Sequence, residues 1–258
     1  MYRLIATDLD GTVLQNGNRI FPEFLYKEIE DYVKRGGIFL PSSGRQYANL
    51  RRMFEPVKDE IAYIAENGCL VFYKGELLYK AAMDREYGLS LIRRIESIPD
   101  CEVVVSGVDC NYIKPKDSEF YNYMLTFVKT NTKLIDDLAL VPEDYFKISA
   151  FGANGTKAFE DILQKEFGEV LNVVTSGLRW VDVMPKNVHK GSAIRVLSEK
   201  LSIPLEDMAA LGDHYNDLEI LDMVGHPMCV ENAMPEIKAM CEQCWESGAE
   251  LLSYCLKQ

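Results

Sequence analysis

A chain of 258 residues and 29.4 kDa, 48% hydrophobic and 26% charged, can bury a proper core, which excludes disordered and fibrous classes and leaves room for a second folding unit. With 40 Asp and Glu against 28 Lys and Arg the net charge is −12, which disfavours a nonspecific grip on nucleic acid or an anionic membrane surface, so a phosphate-bearing partner must be met by local positive charge. No apolar run approaches the roughly 18 to 20 residues of a membrane helix, the opening residues lack the n- and h-regions of a signal peptide, and the 7 cysteines show no framework, so a cytosolic protein with reduced thiols is expected.

Residues 2–7 read as a short apolar strand that runs into the polar turn Asp8-Leu9-Asp10-Gly11-Thr12. An amphipathic helix over 21–34 closes at Gly36-Gly37, and a strand at 38–40 ends in Pro41-Ser42-Ser43-Gly44-Arg45. A helix near 46–54, a strand at 61–65 and a hairpin over 70–79 turning at Lys74-Gly75 follow. From residue 83 the rhythm changes to helix (84–98), strand (102–106), strand (111–114), then strand (146–151), helix (157–167) and strands at 170–175 and 178–183. This block reads as an α+β insert with an antiparallel sheet. From Lys190 alternation returns: a helix to Leu201, a strand at 208–211, the turn Gly212-Asp213-His214-Tyr215-Asn216-Asp217, a helix, a strand at 228–230 and closing helices. The expected architecture is a doubly wound α/β parallel-sheet core from residues 1–82 and 186–258, interrupted by an α+β domain at 83–185.

The polar clusters Asp8/Asp10, Ser43-Gly44-Arg45 and Asp213/Asn216/Asp217 each follow a predicted strand, and ligands of an open parallel sheet bind beyond the carboxyl ends of its strands. Carboxylates crowded on one rim repel unless a cation lies between them, and hard oxygen donors with phosphate favour Mg²⁺, with Asp8 and Asp213 as its carboxylate ligands. A carboxylate can also attack phosphorus, which makes Asp8 a candidate nucleophile and Asp10, two residues on, a candidate general acid and base. The cation offsets a repulsion of about 4 kcal/mol per charge pair at about 4 Å and an effective dielectric near 20. Ser43, the Gly44 amide and Lys190, which opens a helix, are candidates to hold phosphoryl oxygens. Taken singly, the D-x-D-G turn, Ser43-Gly44 and Lys190 are as well read as a loop, a cap and a surface lysine. Their order along one chain is what points to phosphoryl chemistry.

In that order, Asp8-Leu9-Asp10-Gly11-Thr12, Ser43-Gly44-Arg45, Lys190-Gly191 and Gly212-Asp213-His214-Tyr215-Asn216-Asp217 resemble the motifs of haloacid dehalogenase superfamily phosphatases. Asn67-Gly68 and the segment 231–238 resemble the Cof-type branch. The resemblance implies a Rossmann-like core with a type-two cap, since the long gap between Gly44 and Lys190 is the one that holds an insert. It also implies Asp8 as nucleophile, Asp10 as acid/base and as a metal ligand through its carbonyl, and Asp213 as a further ligand of Mg²⁺. Ser43, Gly44, Lys190, Asn216 and the Leu9 amide would bind phosphate, and Asp217 would orient the metal shell or Lys190. Ser43 stands where the family often has Thr and keeps the hydroxyl.

Several residues stay outside that assignment. Arg45 reaches either substrate or a structural ion pair. His214 and Tyr215 pack the turn or narrow the site, and His189 and His226 read as structural. Cys241 and Cys244 form a lone CxxC without the other ligands of a zinc site and read as structural thiols, and the polar loops 106–109, 129–133 and 152–155 read as solvated. The expected activity is Mg²⁺-dependent hydrolysis of small phosphorylated metabolites such as sugar phosphates, with no nucleic-acid or membrane partner. A phosphotransferase or mutase using the same intermediate and a silent phosphate-binding protein remain alternatives.

Overall fold

The computed structural model describes residues 2–108, 110–176 and 178–258; Asp109, in the first of the polar loops, lies outside them. The chain divides into two compact units, one of Met1–Arg45, Leu50–Tyr79 and His189–Gln258, the other of Gln46–Asn49 and Lys80–Val188.

The first unit is built on a 5-stranded parallel sheet of β1 (Leu4–Thr7), β2 (Ile38–Pro41), β12 (Met208–Gly212), β13 (His226–Val230) and β14 (Gln243–Trp245), in the order β14-β13-β12-β1-β2. All of β1 is buried, as a strand covered on both faces must be, and it reads as the unbroken run Leu-Ile-Ala-Thr. Helices α1 (Glu23–Lys34), α6 (Lys190–Leu201), α7 (Leu218–Met223), α8 (Pro235–Met240) and α9 (Gly248–Lys257) connect and flank the strands, and the expected helix near 46–54 is α2 (Tyr47–Met53). Leu25, Ile29 and Tyr32, spaced by 4 and 3 residues, bury one face of α1. Leu4, Ala6, Leu40, Ala193, Leu197, Met208 and Ala210 join one apolar cluster, each fully buried side chain worth about 1.5–3 kcal/mol of transfer free energy if it is the size of leucine. A 3-stranded sheet of β3 (Ala62–Ala65), β4 (Leu70–Tyr73) and β5 (Glu76–Lys80) joins β2 through a bridge between Ser42 and Ile64. The hairpin turns at Lys74-Gly75, both with positive φ, as its sequence predicts. The chain reverses strand order between β1 and β12, and the carboxyl ends of strands at such a switch point are where open α/β sheets bind ligands.

The second unit carries a 6-stranded sheet, β10 (Leu171–Ser176), β11 (Trp180–Pro185), β9 (Lys147–Gly152), β6 (Cys101–Ser106), β7 (Asn111–Ile113) and β8 (Thr132–Leu134) in that order. Helices α3 (Arg85–Glu96) and α5 (Glu160–Phe167) cover one face through Leu91, Ile92, Ile95, Leu163 and Phe167. On the other face Phe120, Met124 and Phe151 pack with Tyr123 and Trp180. The expected antiparallel sheet needs one correction: β7 and β8 pair in parallel. The expected solvated loop at 129–133 is in part that edge strand. Two more elements escape sequence reading, the short helix α4 (Ser118–Tyr123), which runs into a wide turn at Met124–Val128, and β14. Among the described residues no helix is long and apolar enough to cross a membrane.

Candidate active site

Asp8 follows the last residue of β1, and its amide donates to Leu211 O (2.8 Å), the final rung between β1 and β12. That rung sets Asp8 beside the end of β12, from which Asp213 projects. Beyond it the chain turns sharply at Gly11, whose φ of +99° and approach to Asp213 exclude a side chain: a Cβ there would lie 2.3 Å from Asp213 Oδ2. Thr12 Oγ1 donates to Asp213 Oδ1 (2.7 Å), tying the two loops together.

Lys190, at the start of α6, is 0% exposed, and its Nζ donates to Asp8 Oδ1 and Asp217 Oδ1, each at 2.6 Å. Burial works against its ammonium, but Asp217 and Asp8 together outweigh it and raise its pKa. Asp217 in turn accepts the amides of Asp213 (3.1 Å) and His214 (3.2 Å) on Oδ2. Burial raises the Asp8 carboxyl well above its ordinary value, against the pull of Lys190, with Asp217 and Asp213 adding to the rise. Burial also raises Asp213, against the Thr12 hydrogen bond.

Asp8, Asp213 and Asp217 can each turn a carboxylate oxygen to within 4.8 Å of the others. Both oxygens of Asp217 are engaged, whereas Asp8 Oδ2 and Asp213 Oδ2 accept no hydrogen bond among the described residues. A donor set of two desolvated carboxylates, each with one oxygen to spare, fits a hard divalent cation such as Mg²⁺. Asp10 does not join them; its carboxylate, 56% exposed, receives Arg45 Nε (2.7 Å) and Nη2 (2.5 Å) in a bidentate pair. The Leu9 amide donates to no described residue, and the Leu9 carbonyl closes the turn by accepting from Leu14 N (2.7 Å).

Ser43 and Gly44 leave β2 beside the 3-10 turn Glu66–Gly68. Ser43 O accepts Asn67 N (3.1 Å), Ser43 Oγ accepts Arg45 N (3.2 Å), and Asn216 Nδ2 donates to Asn67 Oδ1 (3.4 Å). Gly68, at φ +110°, carries that turn against the start of α6, where a Cβ would lie 2.4 Å from His189 O. Asn67 thus links the Ser43 and Asn216 segments, a connection the sequence offered only as a family-like Asn67-Gly68. Thr12 was also unassigned; its position inside the D-x-D-G-T turn is the signal that could have marked it. His214 and Tyr215 pack on each other at 5.2 Å, and Tyr215 OH donates to Glu236 Oε2 (3.3 Å). Trp180 belongs to the aromatic packing of the second unit.

The profile of the haloacid dehalogenase-like hydrolase family matches residues 5–250 of this chain. The 5-amino-6-(5-phospho-D-ribitylamino)uracil phosphatase YbjI of Escherichia coli is 25% identical over 235 residues, covering 90% of this chain and 86% of that one. Among solved structures, a protein of Eubacterium rectale superposes with a TM-score of 0.89 at 24% identity, covering 99% and 98% of the two chains. A sugar phosphatase of haloacid dehalogenase subclass IIB superposes with a TM-score of 0.80 at 18% identity, covering 99% and 98%. The chain belongs to the haloacid dehalogenase-like hydrolase family. Within it the chain is a phosphatase of the Cof type, in keeping with the resemblance of its motifs.

Proposed function

We propose that this phosphatase hydrolyses small phosphomonoesters, sugar phosphates above all, by way of an aspartyl-phosphate on Asp8, with Mg²⁺ as cofactor. The observation that carries the reading is the buried Asp8, held by Lys190 and set beside Asp213 at the switch point of the sheet. Asp8 and Asp213, with the Asp10 carbonyl, would hold the cation, which when bound offsets the charge of nucleophile and phosphate.

An Asp8 oxygen forms a bond to phosphorus as the ester bond breaks. Asp10, once parted from Arg45 and protonated from solvent, gives that proton to the departing alkoxide, then takes one from the water that attacks phosphorus and frees Asp8. Asp10 lies on the solvent side of its pair with Arg45, so its carboxyl can exchange Arg45 for the leaving oxygen. Ser43 Oγ, the Leu9 and Gly44 amides, Lys190 and Asn216 bind the phosphoryl oxygens, and Asp217 holds Lys190 and the Asp213 loop. In our reading the insert at residues 83–185, which falls within the second unit, is the cap and sets the preference for the rest of the substrate molecule. Sugar phosphates are favoured because the Escherichia coli relative is a 5-amino-6-(5-phospho-D-ribitylamino)uracil phosphatase, whose named substrate carries its phosphate on a ribityl chain. Cysteines held as thiols rather than disulfides fit a cytoplasmic enzyme.

The test is phosphate release from p-nitrophenyl phosphate and a sugar-phosphate panel. Wild type should turn over with Mg²⁺ and stop on chelation, and Asp8→Asn should lose roughly three orders of magnitude in kcat or more. Equal turnover by Asp8→Asn would sink the mechanism.

A further inference from the structure

We infer that Asn232 and Gln15 are positioning residues of the active site, a pair of side-chain amides that set the loop carrying Asp8 and Asp10 against the loop carrying Asp213. Asn232 lies just past β13, in the segment 231–238 whose family-like sequence the phosphate site does not use. Its Nδ2 donates to Gly11 O (2.9 Å). Gln15 Nε2 donates to Asn232 Oδ1 (2.7 Å) and to Glu246 O (3.0 Å), and Gln15 Oε1 accepts Gly248 N (3.2 Å).

The polarity of this chain of bonds is fixed at both ends. Gly11 O can only accept and Gly248 N–H can only donate, so turning either amide over would set acceptor against acceptor or donor against donor. The same segment also holds the other loop, since Met234 N donates to Asp213 O (2.9 Å) and Glu236 accepts from Tyr215 (3.3 Å). The ladder between β1 and β12 ends at the rung from Asp8 N to Leu211 O. Past it, the turn at Gly11 meets the second loop through Thr12 on one side and through Asn232 and Met234 on the other.

Asn232 is exposed and Gln15 half-buried, so these bonds contribute little to stability, and neither side chain reaches the buried carboxylates. Their effect falls on the direction of the Asp8–Gly11 backbone. A misplacement of about 1 Å in such a site can cost roughly a hundredfold in rate.

The test compares the full-length wild type with Asn232→Ala, Asn232→Asp, Gln15→Ala and Asn232→Ala/Gln15→Ala on p-nitrophenyl phosphate with Mg²⁺. Asn232→Asp keeps the shape but puts an acceptor against Gly11 O. It should lower kcat by roughly ten- to a hundredfold with KM held within about twofold. Its Tm should stay within about 2 °C of wild type, and the double variant should be no slower than Asn232→Ala, because the two amides act in series. Asn232→Asp with kcat within about twofold of wild type overturns the inference. So does a loss that follows Tm and recovers on cooling the assay to about 10 °C, or full additivity of the two alanine variants.

Discussion

Lys190 shows how the site is kept charged. An ammonium with no exposure is unfavourable alone, and replacing it would strand Asp8 and Asp217 as buried carboxylates without their cation, a change that costs about 3–5 kcal/mol in comparable cases. Asp8 and Asp213 sit above their ordinary value of 3.8, first through burial, so the folded chain binds protons more tightly there than the unfolded chain does. Their contribution is fully present below that value and is lost as pH rises through the raised folded values. Glu102, raised by burial, has the same sign. Asp31 and Glu166 are lowered by Lys27 and Arg94, so they weaken the fold only as pH falls below their ordinary values of 3.8 and 4.5. Mg²⁺, which favours the ionised acids, should therefore raise Tm more at the upper end of a pH series than at its lower end. Thermal melts with and without chelator across that series check this; an Mg²⁺-dependent rise in Tm that grows on acidification refutes it.

At the scale of elements, α6 decides where Lys190 starts. His189 caps it: Nδ1 accepts Ser192 N (3.2 Å), and His189 N donates back to Ser192 Oγ (3.1 Å). Ser192→Ala should cost about 1 kcal/mol, a drop of roughly 2–4 °C in Tm, and should lower kcat because the cap orients the first turn. A melt and a rate on the same preparation decide it. The limits of α6 were readable because a 12-residue helix repeats its apolar spacing several times. Elements of 6 residues such as α4, or of 3 such as β8 and β14, show no full period, and β8 is polar and mostly exposed. Its strand character comes from its neighbour β7, whose backbone it pairs, so residues 129–133 look like a loop until the sheet is assembled. The Asp117 side chain capping α4 is the local signal that was available for that helix.

Across the whole molecule none of the 7 cysteines is joined in a disulfide: Cys69, Cys101, Cys110, Cys229 and Cys255 are buried, Cys241 is half-buried and Cys244 exposed. A thiol reagent should label Cys244 first, Cys241 more slowly and the remaining five only on unfolding; labelling of the five at the rate of Cys244 in native protein would contradict this packing. The net charge of −12, at first unfavourable to a phosphate ligand, is concentrated in part where a cation is expected to sit. The sequence by itself determined which residue types carry chemistry and in which order, because a nucleophile, its turn and its capping residues are local and sit side by side in the chain. Only the tertiary structure decided their partners. Lys190 and Asp217 are 27 residues apart, Asp10 and Arg45 are 35, and Gly11 and Asn232 are 221. Those meetings follow from the strand order β14-β13-β12-β1-β2, which is selected by packing between distant segments and leaves no periodic trace in any one of them.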